Sequence, residues 1–123
     1  MDKIELQKRT KAFHINEINT CFLSPKNAAV FEISKQIILS AGSVGANCSA
    51  LARAKSTDDF TNKVAIIIEE ADESLYWREI IHEVKLIDGN TMTESLIKEA
   101  NELTAIFVAI SKTTKARKQS SKS

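Results

Sequence analysis

Apolar residues recur along this chain at helical rather than strand spacing. From residue 4 to 23, Ile4, Leu6, Phe13, Ile15, Ile18, Phe22 and Leu23 form an irregular stripe, with Lys3, Lys8, Arg9 and Lys11 mostly outside it. That pattern predicts a first helix from Ile4 to about Phe22. Ser24-Pro25 stops it and opens the next, because serine can cap a helix and proline suits the first helical position. The second helix is expected from about Lys26 to Lys55. Ser56-Thr57-Asp58-Asp59 opens a third, with Ser56 as the cap and two acids in the first turn, where the helix dipole favours them. It should end near Ile87. Asp88-Gly89-Asn90 reads as a turn, and Thr91 followed by Glu94 reads as a capping box. Beyond it, Leu96, Ile97, Ala100, Leu103, Thr104, Phe107, Val108 and Ile110 mark the stripe of a fourth helix.

Within the third helix, Val64-Ala65-Ile66-Ile67-Ile68 is apolar without a break and leads into Glu69, Glu70, Asp72 and Glu73. Its β-branched residues would suit a strand. The capped start, the helically spaced Leu75, Trp77, Ile80, Ile81 and Val84, and the lack of Gly or Pro from Ala46 to Asp88 favour a helix instead. At about 100° per residue such a run is apolar around its whole circumference, more than one packed face requires. It predicts a helix that buries one side in its own subunit and another against a second copy, with Ile67, Ile68 and Tyr76 as interface candidates. Four helices joined by short loops give an all-α, antiparallel up-down-up-down four-helix bundle over residues 1–111.

Composition agrees. The chain has 123 residues, the size of one domain, and only 3 Gly and 1 Pro, too few breakers for many short strands. No apolar run approaches a membrane span and the start lacks a signal-peptide core, so a cytoplasmic, non-membrane protein is expected. Cys21 and Cys48 have no CxxC spacing and read as free thiols. The net charge of +1 hides an asymmetry. Lys112, Lys115, Arg117, Lys118 and Lys122 stand on an acid-free end, leaving twelve cations against sixteen acids elsewhere. Residues 112–123 read as a basic, frayed or disordered tail, with an anion-binding arm as the sharper alternative.

In Ser40-Ala41-Gly42-Ser43-Val44-Gly45-Ala46-Asn47, each interior glycine costs a helix about 1 kcal/mol against alanine, which close approach of a neighbouring helix would offset. A phosphate loop would need a following GK[ST], which is absent. Glu79 and His82 have the ExxH spacing of di-iron bundles, but His14 has no glutamate three residues before it, so no metal and no cofactor is expected. The third-helix carboxylates have no nucleophile or cradle at a recognisable spacing, and no enzymatic activity is expected. Glu70 and Glu73 share a side with Ile66 and Trp77. If buried they need partners, and Asn47, Ser43 or Arg53 could form a polar network with them. Trp77 is expected in the core and Tyr76 at its edge. Lys8, Arg9, Lys11, Arg53 and Lys55, with the tail cations Lys112, Lys115, Arg117 and Lys118, are the candidates for contacting nucleic-acid phosphates.

Ser43-Val44-Gly45-Ala46-Asn47, Arg53-Ala54-Lys55-Ser56, Asp59-Phe60, Glu69 through Trp77, and Glu102 through Phe107 together resemble the bacterial four-helix-bundle proteins encoded in intervening sequences of large-subunit ribosomal RNA genes. The resemblance spans nearly the whole chain except its basic end. It implies an antiparallel bundle assembled as a ring, typically a homopentamer, with no established enzymatic activity. A related branch comprises accessory proteins of diversity-generating retroelements, whose basic surface engages a reverse transcriptase and nucleic acid. An acid usual in the family shortly after the asparagine is replaced here at Ala50. The resulting expectation is an oligomeric accessory factor for RNA, DNA or a ribonucleoprotein. The alternative is a scaffold for a protein partner without nucleic-acid binding.

Overall fold

The computed structural model describes residues 2–84 and 91–122. Four helices carry them: α1 (Lys3–Phe22), α2 (Ala28–Ala50), α3 (Thr57–Glu83) and α4 (Thr91–Lys122), with one 3-10 turn, Leu51–Arg53, between α2 and α3. The expected turn at Asp88-Gly89-Asn90 lies outside the described residues, as does the Thr91 side chain of the expected capping box. Side chains cap the other three helices. Asp2 accepts from the Glu5 amide at 2.8 Å, Asn27 from Val30 at 3.0 Å, and Ser56 from Asp59 at 3.0 Å. Each satisfies an amide that the helix start leaves without a partner.

Two boundaries differ from expectation. Asn27, not Ser24, caps α2, because the buried Ser24 hydroxyl turns back to donate to the Thr20 carbonyl at 2.7 Å, which leaves Pro25 in the connection. The second helix ends at Ala50 rather than Lys55, since the chain tightens into the 3-10 turn and becomes extended at Ala54. The basic end is also not a disordered tail: α4 continues to Lys122. No Gly or Pro interrupts it, Lys, Arg, Gln and Ala are good helix formers, and cations in the last turns complement the dipole. An ion pair from Lys118 to Asp58 at the start of α3 ties this extension to the bundle.

Going around the bundle, α1 neighbours α2 and α4, and α3 neighbours the same two helices from the opposite corner. Paired residues run in opposite senses between neighbours. Thr10 and His14 of α1 meet Gly45 and Gly42 of α2, Ser40 of α2 meets Ser74 of α3, and Arg9 of α1 meets Glu99 of α4. These contacts are compatible with the antiparallel order, in which α1 and α3 are parallel to each other across the diagonal. The glycines do admit a close neighbour. A Cβ on Gly42 would stand 3.1 Å from His14 Nε2, whereas one on Gly45 would meet nothing nearer than the Thr10 carbonyl oxygen at 3.5 Å.

The core side of α3 is Val64, Ile67, Ala71, Ser74, Arg78 and Ile81, spaced alternately three and four residues apart, and all are buried. Val64, Ile67 and Ala71 pack with Leu6 and Phe13, with Ala41, Val44 and Cys48, and with Leu96, Ala100, Leu103 and Phe107. Among these apolar groups lies a charged pair that the sequence reading missed. Arg78 donates from Nε and Nη2 to Glu17 Oε1 at 3.0 and 2.5 Å, and each side chain is only 1% exposed. Burial raises the Glu17 carboxyl above its ordinary range, and Arg78 offsets part of that rise. Arg78 also displaces the expected tenant of the core: Trp77 is only half-buried, with its indole N–H turned to Glu73 at 3.4 Å.

Two stability outcomes follow. Truncating one member of a buried ion pair strands the other charge, so Arg78→Met should cost about 3–5 kcal/mol in denaturant unfolding, and adding Glu17→Leu should recover most of it. An additive loss in the double variant would refute coupling through the pair. Gly45→Ala should stabilise by up to about 1 kcal/mol, because the methyl has room, while Gly42→Leu should lower the melting temperature by driving against His14.

Candidate nucleic-acid interface

The end of the bundle where the α2–α3 connection meets the last turns of α4 carries an open cleft of about 810 Å³. Leu51, Ala54, Phe60, Ala109 and Ile110 contribute apolar lining, and Lys3, Arg117 and Lys118 bring cations to it. Sequence places these groups together for simple reasons. Chain reversal after Ala50 sets the start of α3 at this end, antiparallel packing brings Lys3 at the start of α1 to the same level, and the long α4 delivers Arg117 and Lys118. Ser56 and Thr57 add hydroxyls at the α3 N-terminus, where the helix dipole is positive.

Two acids in that first turn temper the potential. Asp58 pairs with Lys118. Asp59 accepts from Lys63 Nζ at 2.6 Å and from the Lys55 amide at 2.9 Å, and these two donors, Lys63 first, hold its carboxyl below the ordinary range. Arg53 and Lys55 are exposed on the adjoining connection, and Lys112 and Lys115 are exposed on α4.

The nine cations expected to act together therefore do not share one surface. Arg53, Lys55, Lys112, Lys115, Arg117 and Lys118 belong to the cleft end. Arg9 is engaged within the subunit, donating from Nε and Nη2 to the two Glu99 oxygens at 2.7 and 2.6 Å, with Glu102 at 3.3 Å, and the Glu99 bonds raise its pKa. Lys8 and Lys11 line a separate groove of about 510 Å³ between α1 and α2, beside His14, Gly42 and Gly45. Lys3 was missed because a lone cation at a chain start has no pattern; only the antiparallel return of α4 gives it company.

The other expected groups also need correction. Ile67 is 0% exposed, enclosed by the subunit itself, and Ile68 is partly buried against the core. Ile66, 40% exposed, is the isoleucine of that run left on the surface, and Tyr76 is 55% exposed. The expected network of Asn47, Glu70 and Glu73 does not form. Asn47 donates to the Ser43 carbonyl and hydroxyl of its own helix, at 2.9 and 3.1 Å, and Glu73 is exposed. The buried polar contact between α2 and α3 is instead Ser74 to Ser40, at 2.8 Å. Cys21 and Cys48 are free thiols, and Cys48 is buried with its pKa raised by that burial.

With the helix order and the Gly42/Gly45 contact in place, comparison with known proteins becomes informative. The family model for the 23S rRNA-intervening sequence protein matches residues 3–109. The chain belongs to this family. A crystallised protein of unknown function from the S23 ribosomal protein family of Bacteroides thetaiotaomicron VPI-5482 is similar to this intervening-sequence protein. It is 28% identical, with a TM-score of 0.77, over 91% of this chain and 99% of that one. No curated protein matches. The family match ends at residue 109, before the cations Lys112, Lys115, Arg117 and Lys118. Among the described residues no helix is long and apolar enough to cross a membrane.

The Asp59 contacts fix a pH dependence. A carboxyl depressed in the folded state contributes stability above its unfolded pKa and loses it as pH falls through the folded value. Asp59→Asn should therefore flatten the acid side of a plot of melting temperature against pH and leave alkaline values little changed.

Proposed function

We propose that this intervening-sequence protein is a non-catalytic helical bundle that assembles with copies of itself and acts as an accessory factor on single-stranded RNA through its basic end. The observation that carries the reading is the cleft where Lys3, Arg117 and Lys118 surround apolar lining that includes Phe60. Cations at a rim neutralise phosphates, and an apolar or aromatic floor accepts unpaired bases without demanding a particular sequence. The ring implied by the family resemblance would repeat that end in each copy. Anisotropy of a labelled single-stranded RNA tests the reading. Affinity should fall steeply with salt, with a log–log slope near −0.7 for each phosphate neutralised, and Lys3→Glu with Arg117→Glu should weaken binding about tenfold or more. Binding that ignores both salt and these substitutions would overturn it.

The opposite end supports a second reading, docking of a protein partner. Phe22, Leu23 and Phe31 are exposed there, around an apolar hollow of about 490 Å³ between α1 and α2. Retention of a specific protein after nuclease treatment, lost in Leu23→Asp, would favour this reading over RNA.

A further inference from the structure

The outer surface of α3 carries a second seam besides the one that fills the core. Ile66, Glu70, Glu73, Trp77, Ile80 and Val84 follow one another at spacings of four, three, four, three and four. That is the heptad pattern by which one helix lays a continuous strip against another. No helix of the same subunit covers this strip fully: Ile66, Glu73 and Val84 are exposed and the other three half-exposed. On α1, Ile4, Lys8, Lys11, Ile15, Ile18 and Phe22 repeat the same spacing and the same order of apolar, charged, charged and then three apolar residues. Ile4 and Phe22 are 64% and 73% exposed. The α1 charges are cationic and the α3 charges anionic.

We propose that the α1 strip of one subunit packs in parallel against the α3 strip of the next, setting Lys8 and Lys11 against Glu70 and Glu73. The occupant of each strip is thus a second copy of this chain. The proposal rests on the assembly reading above and specifies its contact surface.

Three observations support it. First, the charged residues have no countercharge in the subunit: among the described residues neither Lys8 nor Lys11 forms an ion pair, and neither do Glu70 or Glu73, although Glu73 accepts the Trp77 indole N–H. Burial, Glu73 and Glu69, in that order, raise the Glu70 pKa, an unfavourable crowding that two facing ammonium groups would relieve.

Second, the directions agree. A cyclic ring with its axis along the bundle keeps every helix pointing the same way, and α1 and α3 are the parallel pair. Their strips differ in identity, so contact between them is head-to-tail, the kind that closes rings.

Third, the heights agree. Such a rotation also keeps each residue at its own level along the axis. Within one subunit the Glu17–Arg78 pair sets α1 and α3 level at a numbering offset of 61. The two strips match, Ile4 to Ile66 through Phe22 to Val84, at an offset of 62, one helical rise of about 1.5 Å away.

Sedimentation equilibrium after nuclease treatment, with helicity followed by circular dichroism, tests the pairing. The natural chain should assemble. Lys8→Glu with Lys11→Glu, and separately Glu70→Lys with Glu73→Lys, should each fall to subunit mass with helicity unchanged, and the four changes in one chain should restore the assembly. If a reversed chain loses helicity, Lys8→Gln with Lys11→Gln provides the milder comparison and should raise the dissociation constant at least tenfold. A folded four-change chain that stays at subunit mass would overturn the pairing. Double reversals that keep the assembled mass would overturn it too, while leaving assembly through another surface. A natural chain at subunit mass would overturn both the pairing and the assembly reading.

Discussion

A carboxylate and a guanidinium withdrawn from water in the middle of a helical bundle find in each other the hydrogen bonds that water no longer supplies. Because Glu17 and Arg78 stand on helices that are not neighbours, their bond is a strut across the diagonal. Apolar packing alone fixes the height of one helix against another weakly, since sliding by a turn exchanges one aliphatic contact for a similar one. Sliding α1 against α3 would break two charge-assisted hydrogen bonds in a medium where neither group finds water, and desolvation makes that loss severe. The pair therefore selects one register among many compact alternatives, a contribution to uniqueness more than to net stability.

The remaining contacts depend on that register. With α1 at its level, His14 comes opposite Gly42 and Thr10 opposite Gly45, and the small residues let α2 approach. The same level places Arg9 where it can grip Glu99 with both carboxylate oxygens. It also sets Lys3 beside the far turns of α4, so a choice made in the core decides which cations meet at the surface.

Much of the architecture was legible in the residues. Four helices, the Ser56 cap and the tight approach at Gly42 and Gly45 follow from spacing and local chemistry. What the sequence hid was phase. Val64 through Ile68 is apolar at every position, so composition cannot say which members point inward; the core takes Val64 and Ile67 and leaves Ile66 outside. Glu17 and Arg78 do fall on the buried stripes of their helices, Leu6, Thr10, Phe13, Glu17 and Thr20 on one, and Val64 to Ile81 on the other. A charge on such a stripe reads as a break in the pattern until a partner of opposite sign is found on the other helix, sixty-one positions away. The basic end was misjudged for a related reason. Its composition suits a solvated tail, but helix propensity without any breaker, and Asp58 waiting for Lys118, carry α4 through it.

Charge is thus distributed along the molecule by level. Cations gather at one end, exposed apolar side chains at the other, and the two flanking strips carry opposite charges between them. A rotation about the bundle axis brings every cationic end to the same face of a ring and every apolar end to the other. Repulsion among the cationic ends opposes that arrangement, and Lys8 and Lys11 against Glu70 and Glu73 on the flanks would counter it. A single cleft, already tempered by Asp58 and Asp59, can hold only a short stretch of polyanion weakly. In the proposed ring, several such clefts on one face would act on a chain that, once bound at one, is held at high local concentration near the next, so affinity would grow without any cleft binding more tightly. On the proposed reading, assembly through the flanks and binding at the end would be one mechanism: the first would supply the repetition that a weak single cleft needs.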